Sequence, residues 1–101
     1  MGVLAMLELQ GDTAALMAAS DELDRLLPTP DGLLARMVAP TDDGMVVFQL
    51  WESAAARQRH ADNPAHTEAL AASGLLAAVR GRRSRVFEDT SLRRFGETES
   101  H

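Results

Sequence analysis

The chain has 101 residues, 46% of them apolar, and a formal charge of −5 at neutral pH. Such a length supports one domain with a modest core. The ten basic residues are all arginine against fifteen acidic ones, a balance that repels a phosphate backbone and leaves nucleic acid out of the expected partners. The absence of cysteine excludes disulfides, thiolate nucleophiles and the common structural zinc sites.

Met1 to Leu9 is apolar, lacks a basic leader and a small-residue cleavage site, and meets Glu8 before reaching membrane-spanning length. A cytoplasmic protein without a membrane partner is the expectation. Within this stretch, Val3 to Gln10 is a short run of large aliphatics closed by Gly11-Asp12, which predicts a strand. Asp12 caps a helix on which Leu16, Ala19, Leu23 and Leu26 recur at helical spacing until Pro28 and Pro30 end it. Leu33 to Ala39 and Met45 to Trp51 predict two strands, joined through Pro40-Thr41-Asp42-Asp43-Gly44, whose Asp-Gly ending signals a hairpin. Ser53 caps an alanine-rich helix reaching Asp62; Asn63-Pro64 restarts it, with asparagine as cap and proline in the first turn, and Gly74 stops it. Leu75 to Arg80 reads as further helix or as a loop, and Arg82 to Glu88 as a last strand. The domain therefore spans residues 1–88, with a polar tail over 89–101.

The resulting β-α-β-β-α-β order is the ferredoxin-like α+β arrangement, in which helices cover one face of a four-stranded antiparallel sheet. Met45-Val46-Val47-Phe48-Gln49-Leu50-Trp51 is apolar on both faces of its strand, whereas a sheet with one wet face alternates. Helices on the first face cannot cover the second, and a second copy of the chain can, which predicts a homodimeric α+β barrel. The alternative is a central strand partly exposed at Val47 and Gln49, with Arg36 keeping that region wet.

The residues best suited to chemistry are Trp51-Glu52-Ser53, His60 and Asn63-Pro64-Ala65-His66. Two imidazoles and an indole nitrogen near the mouth of a sheet supply a proton acceptor and a donor to a bound phenol or ketone. Without a pocket, the same residues are a core tryptophan, a helix cap and two solvated histidines. His60 and His66 are six apart across a proline break and do not share a helix face, so no metal centre is expected, and Asp62 and Glu68 complete one only by accident of folding. Nucleophile-elbow, phosphate-loop and dinucleotide glycine patterns are absent, which argues against hydrolase, kinase and nicotinamide chemistry. Arg80-Gly81-Arg82-Arg83-Ser84-Arg85 is either an anion holder or a charged edge that discourages strand addition. Met6, Met37 and Met45 fill core or line an adaptable pocket, and a helix-lined pocket with Met37, Phe48 and Trp51 is where a small apolar or aromatic ligand is expected.

Trp51-Glu52-Ser53, His60, Pro64 and His66, set in this strand order, resemble the antibiotic biosynthesis monooxygenase family of dimeric α+β barrels. The resemblance runs from the first strand to the last and is specific over Trp51 to about Leu70. It implies, for oxygenase members, oxidation of a small aromatic or polycyclic phenol by dioxygen without flavin, metal or haem, so no cofactor is expected. Trp51 and His60 are then the first candidates for positioning and proton transfer, with His66 and Gln49 next. Other members imply a non-catalytic small-molecule binder or accessory dimer. Haem-degrading relatives are similar at Trp51-Glu52-Ser53, but their first-strand asparagine is missing here, and His60 and Leu70 stand near their helix tryptophan and haem ligand. Haem chemistry is therefore disfavoured, His66 being the alternative axial ligand.

Overall fold

A computed structural model describes residues 2–93 of the chain. Four strands, β1 (Gly2–Gln10), β2 (Leu33–Thr41), β3 (Gly44–Trp51) and β4 (Gly81–Thr90), form one antiparallel sheet in the order β2-β3-β1-β4. α1 (Thr13–Leu26) follows β1, and α2 (Ala54–Ala61), α3 (Pro64–Ala72) and the single turn α4 (Leu75–Ala78) follow β3. This is the ferredoxin-like order. What the sequence predicts as one interrupted second helix is three pieces, and the stretch after Gly74 opens with helix.

Local chemistry explains the breaks. Asp12 accepts a hydrogen bond from the Ala15 amide at 2.9 Å, and Ser53 accepts one from the Ala56 amide at 3.1 Å, so each side chain satisfies an amide that a helix start leaves free. The β2–β3 hairpin closes by pairing Thr41 with Gly44, which leaves Asp42-Asp43 as its two-residue loop. Gly44 is therefore the first strand residue, required because a Cβ there would lie 1.8 Å from the Leu9 carbonyl oxygen. β4 runs two residues past the domain end expected at 88. Of the polar tail expected over 89–101, residues 94–101 lie outside the described residues.

Strand alternation sorts the sheet into two faces. Leu9, Met45 and Val47 face the helices and pack with Leu16 and Ala19 of α1 and with Leu75 in the main core. Val47 is thus buried rather than partly exposed. Leu4, Met6, Val46, Phe48, Leu50 and Met37 alternate onto the opposite face, which no helix among the described residues covers; Met37 there is 64% exposed. At its β4 edge Phe87 pairs with Leu4 and Arg85 with Met6, and the Arg85 guanidinium lies 5.0 Å from the centre of the Phe87 ring. No helix among the described residues is long and apolar enough to cross a membrane.

Candidate functional site

Trp51 ends β3 on the helix-facing side and is 1% exposed, packed with Val3, Ala56 and Leu33 in a second, smaller core. Its Nε1–H, though buried, has no hydrogen-bond partner among the described residues. The Ser53 cap starts α2 immediately after the strand, so that one helix length later His60 lies beside Trp51, ring centres 5.3 Å apart. The backbone leaves the helix at Asp62, and Asn63 caps α3 by accepting from the Ala65 amide at 3.0 Å, with Pro64 in the first turn. This change of direction folds His66 back onto His60, with ring centres 4.1 Å apart. Sequence spacing on one helix argued against that meeting; two helices with a proline-marked corner achieve it.

The start of β2 closes the site from the other side. Gly32 has φ +86°, and a Cβ there would stand 2.6 Å from the Ala56 Cβ, so only glycine lets this turn press against α2. The Gly32 carbonyl accepts from the Glu52 amide at 2.8 Å, tying the two segments together. Between them and the end of α1 lies a cleft of about 370 Å³, with Leu23, Leu27 and Leu33 as apolar wall and Arg36, Gln49, His60 and His66 as polar groups. A second hollow of about 550 Å³ adjoins it, bounded by residues 27–31, Ala56, Arg59 and Asn63, and His60 lines both.

Both imidazoles hold their protons weakly. Burial pushes His60 below the ordinary histidine range, and the neighbouring His66 adds to the effect; burial alone lowers His66. Desolvation favours the neutral ring, the form that accepts a proton. Arg36 lines the same cleft from β2, donating to the Ser20 hydroxyl at 3.1 Å and to the Asp24 carboxylate. Among the described residues no three histidine, aspartate or glutamate side chains converge as a metal site.

Of the residues predicted for the site, Trp51, His60 and His66 come together and Gln49 lines the cleft. Met37 and Phe48 do not: paired with each other across β2 and β3, they alternate onto the uncovered face. A strand residue one position from Gln49 must point the other way. Met6 lies on that face too, whereas Met45 is core. The Arg80–Arg85 run enters and lies along edge strand β4 from Gly81 onward and lines neither hollow. Sequence reasoning treated Arg36 only as a wetting residue; its signal was an arginine inside an apolar strand run, at a position whose face could not be assigned before the register was known.

No protein-family model and no curated protein matches the chain. Solved structures do. A dimeric ferredoxin-like protein of unknown function from Jannaschia sp. CCS1 superimposes with a TM-score of 0.69 at 20% identity, covering 87% of this chain and 99% of its own. SnoaB, a cofactor-independent oxygenase from Streptomyces nogalater, gives 0.66 at 15% identity, with 95% and 96% covered. A candidate antibiotic biosynthesis monooxygenase from Deinococcus radiodurans gives 0.66 at 18%, with 94% and 98% covered. At these identities the likeness is one of fold, and the chain has the ferredoxin-like fold that these monooxygenase-type and uncharacterised proteins share.

Proposed function

We propose that the protein is a cofactor-independent oxygenase of the antibiotic biosynthesis monooxygenase type, which oxidises a small aromatic or polycyclic phenolic compound bound in the cleft between α1, β2 and the α2–α3 corner. The observation that carries this reading is the stack of His66 on His60 and His60 on the buried Trp51, with the two imidazoles lining the cleft and biased towards the neutral form. His60 takes a proton from the acidic O–H or ring C–H of the substrate. The anion then passes electrons to dioxygen, the resulting hydroperoxide collapses to the ketone or quinone, and the second oxygen leaves as water. The apolar wall favours a flat ring system and limits competing water. Trp51 and His66 position His60, and Gln49 contacts the substrate.

The uncovered apolar face supports a homodimer in which two sheets pack face to face, with Met37 and Phe48 in that interface rather than on the substrate. A Phe48→Glu chain is expected to sediment as a monomer.

The test is oxygen uptake by chelator-treated protein with a panel of anthrone-type phenols. Uptake that collapses in His60→Ala supports the reading. Saturable binding without uptake replaces it with a ligand-binding barrel.

A further inference from the structure

We propose that Arg36 is the anion-stabilising group of this cleft, and that it selects aromatic ketones and phenols carrying an oxygen at the end of the ring system remote from the acidic position. The inference rests on the oxygenase reading, which it deepens by naming the substrate feature.

Arg36 sits on edge strand β2 with its side chain turned towards the helices, directly across from Gln49. Any exposed charge on β2 would deter strand addition; this one is 21% exposed and anchored by the buried Ser20. A guanidinium carries five N–H donors in a fixed plane, more than Ser20 and Asp24 take up, so donors remain for the cleft. Gln49 lies two residues before Trp51 on the same face, and Arg36 one strand further out, which separates the Arg36 and Trp51 backbones by roughly 8 Å on ordinary sheet spacings. Arg36, His60 and His66 line the same cleft of about 370 Å³, so an aromatic system bound there meets imidazoles and a guanidinium.

When the substrate loses its proton, the O–H or C–H bond breaks, the proton goes to the imidazole nitrogen, and the electron pair delocalises onto the remote oxygen. A fixed cation there stabilises that charge through a charge-assisted hydrogen bond. Asp24 lines the same cleft and opposes it, although its carboxylate is the more solvated partner, 54% exposed. The titratable or charged groups facing a bound ring system are thus Arg36, Asp24, His60 and His66.

The test uses 2-hydroxyanthraquinone, whose visible spectrum separates phenol from phenolate, with quenching of the single tryptophan, Trp51, reporting binding. Bound to the unaltered protein, the dye is expected to ionise about one pH unit lower than free dye, a tenfold shift towards phenolate. Arg36→Met should abolish that shift, Arg36→Lys retain part of it, and Asp24→Asn enlarge it. An unchanged ionisation midpoint in Arg36→Met, or in both Arg36→Lys and Asp24→Asn should Arg36→Met not fold, overturns the inference, as does failure of the unaltered protein to bind the dye. A shifted midpoint without oxygen uptake from any anthrone removes the oxygenase reading and leaves Arg36 as the anion-binding group.

Discussion

The space between sheet and helices has two ends built to different rules. At one, Leu9, Leu16, Ala19, Met45, Val47 and Leu75 form the larger apolar cluster. At the other, the buried set shrinks to Val3, Trp51 and Ala56, the Trp51 indole N–H has no partner among the described residues, and two imidazoles, a guanidinium and an amide side chain line the adjoining cleft. Val3 and Leu9 mark the two ends on one strand, roughly 20 Å apart at ordinary strand rise. The difference separates packing from polarity: the closed end holds the fold, which permits the open end to carry polar groups that contribute little to packing.

The comparison can be broken first at His60. His60→Ala is expected to lower oxygen uptake about 10²–10⁴-fold, the range for loss of a general base, while the far-ultraviolet circular dichroism and the melting curve stay near those of the unaltered chain. Leu16→Ala should do the reverse. Leu16 is fully buried at the closed end, so chemical denaturation should show a loss of about 2–5 kcal/mol, with turnover per folded molecule retained. Equal loss of both properties in either variant would merge the two ends into one unit.

Trp51→Phe is intermediate, because the side chain belongs to both the core and the site. Its lost packing is partly offset by removal of a buried donor that has no partner among the described residues, so urea titration should register about 1–2 kcal/mol, less than truncation of a buried aromatic to alanine. The smallest effect is a pH shift. Since the folded state lowers both imidazoles from 6.5, the unfolded chain binds their protons first. Their contribution to stability is therefore complete above that ordinary value and fades as pH falls through the lowered ones. Oxygen uptake should decline over the same acid window. His66→Gln removes the like charge that adds to the effect of burial on His60, so the acid limb of the rate profile should move to higher pH; an unmoved limb would assign the proton transfer elsewhere.

Much of the backbone was legible from local signals. Asp12, Ser53 and Asn63 cap helices where their side chains predict them, Pro64 begins α3, and the apolar runs become strands in ferredoxin-like order. These features depend on neighbours within a few residues, which a linear reading contains. The same holds for the choice of Trp51, His60 and His66 as residues worth following. Their meeting was not legible, because it depends on the angle between two helices. Nor was the separation of Gln49 from Phe48 and Met37, because a strand apolar on both faces carries no alternation from which to assign sides. Sequence alone determined the four strands, α1, the helix caps, the element order and the chemical types available. The tertiary structure decided which face each strand residue presents, and so which groups share the cleft: cross-strand register and helix docking are contacts between segments tens of residues apart, and only the folded chain brings Arg36, Gln49, His60 and His66 around one space.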